Sequence, residues 1–274
     1  MPRLRLRIAY QGTRYAGWQL QAHTGVPQPP TIQGELERAV VSVLDVPRIP
    51  IVGCSRTDSG VHAEDQICRL DIPAGAERIN WLRVLNSRLP EDIRVLEAAL
   101  VADDFEPRRG VLFKCYSYAL WTGPARPLPR IAPFVGAFPS LNFDRVDAVL
   151  PYFVGKRDWR CMQNAGAQPM ENTVRTVFSV TRKPHFAGPL RCPEDWPVHA
   201  IFVEGDGFLK QMVRNMIGLI VRVGLGKIEP DAVPGLLARP RREDISSPTA
   251  PPSGLTLMHV AYGNGAPPQT PPGE

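Results

Sequence analysis

Proline sets the first limit on what this 274-residue chain can fold into. Its ring locks φ at about −65° and removes a backbone donor, so dense prolines end helices and interrupt sheet ladders. Residues 23–30 (HTGVPQPP) read as a loop. Thr122 to Pro139 carries Pro124, Pro127, Pro129, Pro133 and Pro139, which reads as a connection between two domains. Lys183 to Pro197 has the composition of another long loop. Residues 263–274 (GNGAPPQTPPGE) show no apolar period and are expected to form a disordered tail.

Between these breaks the hydrophobic pattern is regular. Alternation predicts strands at Leu4–Tyr10, Ile49–Cys54, Gln66–Ile72, Ile93–Leu100, Val111–Trp121, Val174–Thr181, Val198–Val203 and Leu255–Tyr262. The helical period predicts helices at Ile32–Leu44, near Ile79–Arg88, and at Phe143–Phe153 and Phe208–Val223. Each side of the proline-rich stretch then runs approximately β-α-β-β-α-β, the split βαβ arrangement of ferredoxin-like domains. The expected fold class is α+β. It would comprise two pseudo-duplicated halves, residues 1–121 and 140–262, joined by residues 122–139. Their sheets would be mainly antiparallel, with a central cleft as the default place for a site.

Composition suits a globular chain: 43% hydrophobic residues can fill cores, and 22% charged is ordinary. A collagen, a disulfide miniprotein and a wholly disordered chain are excluded. No apolar run approaches the ~20 residues of a membrane-spanning helix, because the richest, Met216 to Val221, meets Arg222. The N-terminus alternates Arg3, Arg5 and Arg7 with leucines and lacks a signal-peptide core, so a cytoplasmic location is expected. Cys54, Cys68, Cys115, Cys161 and Cys192 are widely spaced without a C-x-x-C pair, which reads as buried hydrophobes. The formal charge is +5, and 27 of the 32 basic residues are arginine, which contacts phosphate in a planar, bidentate way. Two readings of that excess stand together: the composition bias of a GC-rich genome, and an electrostatic footprint for nucleic acid.

Four segments are candidates for chemistry. Gly53 to Ala63 (GCSRTDSGVHA) lies between two strands, so Arg56-Thr57-Asp58-Ser59-Gly60 is expected to form a tight loop. It is either a plain hairpin turn or a mount for Asp58, held ionised by a nearby guanidinium and acting as nucleophile or base. Gly207 to Gly218 (GFLKQMVRNMIG), read as a helix, buries Phe208, Leu209, Met212, Val213, Met216 and Ile217. It also spaces Lys210, Arg214 and Arg222 along one stripe, with no acid between Phe208 and Ile228. That stripe is either a solvated face, or one arginine turned inward to a carboxylate while the others meet phosphate. In Lys114-Cys115-Tyr116-Ser117-Tyr118 both tyrosines share a strand face, as core residues or as stacking rings with polar tips. Tyr10 to Gln19 (YQGTRYAGWQ) reads as a glycine-punctuated hairpin, a packed corner or a surface for base and backbone contact.

Several chemistries fail on their motifs. Gly226-Lys227 is followed by Ile228 where a phosphate loop needs Ser or Thr, and Gly224-x-Gly226 lacks the third glycine of a dinucleotide fingerprint. His62 and Asp65 have no further histidine nearby to complete a metal site. A reaction needing no nucleotide, redox cofactor or metal fits this inventory, so no cofactor is expected. An aspartic protease, suggested by Asp58-Ser59-Gly60, would need a second such carboxylate. A metal nuclease could draw on Asp58, Glu64, Asp65 and Asp71, and an RNA-binding protein that has lost catalysis would carry the same basic surface.

Taken together, the motifs resemble those of the TruA-type tRNA pseudouridine synthases over about residues 3–262. The family's G-R-T-D-x-G-V-H-A stands here as Ser55 to Ala63, and its Y-D-G-x-x-(aromatic)-x-G-W-Q as Tyr10 to Gln19. Its F-x-x-x-M-V-R-N-x-x-G is Phe208 to Gly218, and its P-x-G-L-x-L is Pro252 to Leu257. The resemblance implies the pseudouridine synthase fold, two α+β halves around a catalytic cleft. It implies isomerisation of uridine to pseudouridine in the tRNA anticodon arm, at positions 38, 39 and 40, by a homodimer. Asp58 would attack or deprotonate the nucleoside, Arg56 would help turn the base out, and Tyr116 would stack on the uracil and handle a proton. Arg214 would pair with the aspartate, Leu255 would wall the base pocket, and Lys210 would join the substrate-binding set. Breaking a glycosidic bond inside a stem calls for a flipped base in a dry pocket. The chain departs from the pattern at Gln11, where an acid is usual, and at Ser55, where glycine is usual. Phe105 to Arg109 (FEPRR) stands for F-H-A-R-F, Lys114 for the arginine of R-x-Y-x-Y, and Arg157-Asp158-Trp159 for H-D-F.

Overall fold

In β1 (Arg3–Tyr10) Leu4, Leu6, Ile8 and Tyr10 are buried, and the alternate arginines line the other face, as a period of two requires. The computed structural model of the chain describes residues 1–20, 29–164, 172–187 and 190–263. Most of the loop expected at 23–30, and the tail beyond residue 263, lie outside them. The chain divides into two compact units, Met1–Val111 and Leu112–Glu274.

In the first unit β1 is followed by α1 (Ile32–Leu44), β2 (Val52–Gly53), β3 (His62–Asp71), α2 (Trp81–Asn86) and β4 (Ile93–Val101). Thr31 Oγ1 accepts the Gly34 amide at 3.1 Å to start α1, and Asn80 Oδ1 accepts the Arg83 amide at 3.1 Å to start α2. The strand order is β4-β1-β3-β2, antiparallel throughout. Leu4, Leu6, Ile8, Ile32, Leu36, Leu70 and Leu85 lie in the interior. The outward arginines of β1 enter a ladder of ion pairs. Arg3 Nε donates to Asp71 at 2.7 Å, Arg69 bridges Asp71 at 3.0 Å and Glu106 at 3.2 Å, and Arg5 pairs with Glu97. Part of the arginine excess therefore lies in partly exposed pairs, each of which contributes little to stability.

The second unit runs β5 (Val111–Trp121), which starts at the boundary, then β6 (Gly136–Ala137), α3 (Phe143–Val149), β7 (Gly155–Asp158) and β8 (Val174–Pro184). After these come β9 (Phe186–Ala187), β10 (Leu190–Arg191), β11 (Val198–Gly205), α4 (Met212–Gly224), α5 (Val233–Leu237) and β12 (Leu255–Tyr262). Its strand order is β12-β5-β11-β8-β7. The pairs β4-β1, β1-β3 and β3-β2 of the first unit are matched in the second by β12-β5, β5-β11 and β11-β8, its four long strands. The duplication that leaves no repeat in the sequence is thus visible in connectivity. The fold is α+β with mainly antiparallel pairing.

Several elements differ from their sequence-based expectation. The proline-rich stretch 122–139 packs within the second unit. Ile131 and Val135 bury against Trp121, Cys192 and Val198, and β6 adds a parallel pair to the end of β5. Prolines exclude regular helix and hairpin there, but the apolar residues between them still leave water. Lys183 to Pro197 is similarly ordered where described: β8 continues to Pro184, and β9 pairs with β10. The helix expected at Phe143–Phe153 tightens into a 3₁₀ turn at Leu150–Phe153, where Pro151 lacks the amide for an α-turn.

His199 on β11 is half-buried beside the Phe143 ring, with centroids 4.0 Å apart, and its Nδ1 lies 3.2 Å from Arg182 Nη1. Burial, then the positive charge of Arg182 and the neighbouring His185, lower its pKa to about 4, against a smaller opposing pull from Asp147. A histidine depressed in this way contributes stability that is present above about pH 6.5 and is lost as pH falls through about 4. After discounting for the half-exposed ring, we expect about 1–2 kcal/mol to be lost across that window. His199→Gln should flatten this part of the profile in chemical denaturation at pH 7 and pH 4. An unaltered profile would show that the ring titrates alike in both states.

Candidate active site

Asp58 stands on the loop between β2 and β3, and the first unit fixes the backbone on both sides of it. Gln66, fully buried on β3, accepts the Ser55 amide through Oε1 at 3.1 Å and donates through Nε2 to the Ser55 carbonyl at 2.7 Å. One side-chain amide thereby satisfies both backbone groups of Ser55, as a neighbouring strand would. The Cys54 amide donates to Ile67 O at 2.8 Å, and the Val61 amide closes the turn onto Asp58 O at 3.2 Å. Tyr10 OH and Thr57 Oγ1 share a buried hydrogen bond of 2.8 Å. Asp58 itself is half-buried, and Arg56 is exposed. A reactive carboxylate needs a mount of this kind, with rigid backbone and a side chain within reach of solvent.

The segment Tyr10–Gln19 completes the clamp. The expected hairpin is instead a 3₁₀ turn at Gly12–Arg14 followed by irregular, bent chain, because its hydrogen bonds go to the Asp58 loop. Trp18 N donates to Thr57 O at 3.1 Å, and both Gly60 N and Ser59 Oγ donate to Tyr15 O, at 3.3 and 3.1 Å. Gly17 has φ +96°, and a methyl group there would lie 2.6 Å from Thr57 O, so only glycine permits this approach. His62 accepts the Gly12 amide at Nδ1, 3.1 Å away, which gives that ring a structural task. Asp92 anchors the segment, receiving Arg14 Nε at 2.8 Å and Tyr15 OH at 2.5 Å.

In the second unit Tyr116 is 8% exposed on β5 and meets Phe208 edge-on, with centroids 5.4 Å apart. Tyr118 is fully buried, and its hydroxyl donates to Pro251 O at 2.9 Å. Burial raises its pKa, against a smaller opposing influence of Arg214. Of the two tyrosines, Tyr118 is core and Tyr116 is the one that reaches solvent.

Helix α4 begins at Met212, because Gln211 takes φ +60° and breaks the turn. Lys210 therefore precedes the helix, exposed, and is not in a stripe with Arg214 and Arg222. Arg214 Nε donates to Ala250 O at 2.8 Å, and the Ala250 amide returns to Arg214 O at 3.1 Å. The next residue, Asn215, is fully buried, donating to Met162 O at 2.8 Å and accepting from Thr249 Oγ1 at 2.7 Å. A methyl group at Gly218 would lie 1.9 Å from Pro248 O. The R-N-x-x-G spacing thus presses α4 onto the strap Pro248–Ala250 and sets the plane of the Arg214 guanidinium. The same strap leads through the 3₁₀ turn Pro252–Gly254 to Leu255, 6% exposed at the start of β12. The first unit therefore holds Asp58 and Arg56 on one loop, and the second gathers Arg214, Tyr116 and Leu255 around α4, β5 and the strap.

A family model described as tRNA pseudouridine synthase matches residues 150–263. The tRNA pseudouridine synthase A of Oleidesulfovibrio alaskensis is 44% identical over 278 residues, which cover 96% of this chain and 97% of that relative. The corresponding protein of Nitratidesulfovibrio vulgaris strain Miyazaki F is 43% identical, covering 96% and 100%. The chain belongs to the tRNA pseudouridine synthase family. A more distant relative, from Myxococcus xanthus, is 35% identical across 100% of this chain and 97% of its own length. The positions at which this synthase departs from the family motifs make contacts of their own. Gln11 turns its amide to Thr13 at 3.4 Å, and Asp92 provides the carboxylate that holds Arg14 and Tyr15. In Phe105–Arg109, Glu106 pairs with Arg69, and Arg108 Nε donates to Gly53 O at 3.1 Å, behind the Asp58 loop. A metal nuclease loses Asp71 as a ligand, because Arg3 and Arg69 engage that carboxylate.

Sequence reasoning missed Gln66 and Asn215 as positioning residues. For Asn215 the signal was present, a lone amide side chain within an apolar helix; for Gln66, among the other polar residues of β3, it was not. Gln66→Leu, which would leave Ser55 N–H and C=O buried without partners, should cost about 2–4 kcal/mol in urea denaturation. A loss below about 0.5 kcal/mol would mean that the loop carries itself.

Proposed function

We propose that this chain isomerises uridine to pseudouridine in tRNA, with Asp58 as the group that acts on the target nucleoside. The clamped loop carrying Asp58 is the observation on which the reading rests. The reaction breaks C1′–N1, forms C1′–C5 and moves one hydrogen from C5 to N1, so every atom stays within the nucleotide. It asks for a carboxylate of fixed orientation, as nucleophile or base, and for a dry recess that admits a base turned out of its stack. Tyr116 offers a ring for that base and a phenol for a proton, and Leu255 an apolar wall. Arg56, exposed beside Asp58, suits the flipping role, and exposed Lys210 suits a phosphate. Arg214 is the proposed countercharge of Asp58, its orientation set through Ala250.

We assign the target to the anticodon arm, positions 38, 39 and 40, and the active form to a cytoplasmic homodimer, as the resemblance implies. Among the described residues, no helix is long and apolar enough to cross a membrane. Asp58→Asn and Asp58→Ala should each lower pseudouridine formation on an unmodified tRNA transcript by about 10³-fold or more, with tRNA affinity within a few-fold of wild type. Full turnover in either variant would end the proposal, and a wild-type chain that binds tRNA without forming pseudouridine would favour an RNA-binding protein instead. Arg214→Ala should lower kcat steeply; an unchanged kcat would leave that arginine a purely structural part of α4. Nucleotide-resolved mapping and sedimentation of the full chain test the target positions and the dimer.

A further inference from the structure

The second unit has a groove of about 490 Å³ between β7 with its following turn and the segment 234–240. Lys156, Arg157, Arg160 and Arg239 line it, and Asp158 is its one acid among the described residues. That acid is engaged within the fold. Its Oδ1 accepts Thr173 Oγ1 at 2.6 Å and the Arg160 amide at 2.9 Å. Burial raises its pKa, but these bonds and the charge of Arg160, whose Nη2 lies 3.6 Å from Asp158 Oδ2, outweigh it and hold the carboxyl below its ordinary value. Lys156 and Arg239 are exposed and make no ion pair among the described residues. The guanidinium of Arg157 lies 5.0 Å over the ring of the fully buried Trp159 and donates to Val154 O at 3.2 Å, so it is ordered before any ligand arrives. Cys161 Sγ donates to Leu237 O at 3.4 Å, tying the two walls together. This is the stretch where Arg157-Asp158-Trp159 departs from the family's H-D-F.

We propose that this groove is a subsite for the phosphodiester backbone of RNA. The choice of RNA rests on the proposed activity on tRNA. A rigid, open channel with an excess of cations and an apolar floor takes a chain of phosphates better than one small anion, because several charges are presented side by side. β7 lies three strands from β5, about 14 Å at about 4.8 Å per strand, so the phosphates held here belong to nucleotides other than the one at Tyr116. The groove therefore adds affinity and register without entering the chemistry.

The test is the salt dependence of tRNA binding by the full chain. Lys156→Ala/Arg160→Ala/Arg239→Ala removes three exposed cations, and Arg78→Ala/Arg83→Ala/Arg88→Ala removes three exposed cations from the first unit as an equal-charge control. The groove variant should raise Kd and KM about tenfold or more and lower the slope of log K against log salt by about 2, with kcat at saturating tRNA within about twofold. The control should change Kd much less. Arg239→Glu alone, a single exposed substitution, should move Kd in the same direction. Unchanged affinity and slope in the groove variant, or an equal loss in the control, overturns the subsite. Pseudouridine formation by the wild type on the same tRNA separates the two claims. If it is present while the groove variant binds normally, the groove alone falls; if it is absent, the isomerase reading falls, and the Kd and slope comparison still decides the groove.

Discussion

A single buried amide, that of Gln66, carries the first unit's arrangement. Strand β2 is only Val52–Gly53, so the chain leaves the ladder just before the residues that matter. At that point two backbone groups of Ser55 would enter the interior unpaired, a cost comparable to a lost hydrogen bond for each. Gln66 supplies the donor and acceptor that a longer strand would have supplied, and the loop is free to diverge. Tyr10, Gly17 and Trp18 then hold the loop from the neighbouring segment. These contacts fix the backbone on both sides of Asp58.

The second unit uses the same division of labour. In Met212-Val213-Arg214-Asn215-Met216-Ile217-Gly218 the asparagine and the glycine join α4 to the strap, and the arginine between helix and strap is oriented as a result. Most residues of the family motifs are scaffolding: each motif contains one or two side chains available for chemistry and several that settle where those point. At the departure Gln11 the side chain meets Thr13, while Asp92, from another element, holds Arg14 and Tyr15.

The elements were legible where burial follows a simple period. α1, β5 and β12 fall at the bounds that alternation and helical period predict, because each carries an apolar pattern over its whole length; β5 is in fact buried on both faces from Cys115 to Trp121. The start of α4 was not legible, since Phe208 and Leu209 continue the apolar period while Gln211 leaves helical backbone. The proline-rich stretch misled in the opposite direction. Proline forbids regular hydrogen bonding without forbidding burial, and Ile131 and Val135 are core residues in irregular chain. Arginine content was ambiguous for a comparable reason. The ladder of Arg3, Arg5 and Arg69 is structural, whereas Lys156 and Arg239 line a groove, and composition does not separate the two.

The sequence by itself determined the α+β class, the order of the long strands and of α1 to α4, and the identity of the residue types suited to the chemistry, because these follow from periodicity and from motifs local in the chain. Tertiary structure alone decided which of the two tyrosines of β5 is core, which amides hold Ser55 and the strap, and which cations line a groove without an ion pair among the described residues. Those outcomes depend on partners far away in sequence, such as Ser55 with Gln66, Asn215 with Met162 and Cys161 with Leu237. A hydrogen bond is decided by distance and angle between two groups, and only the folded chain sets both.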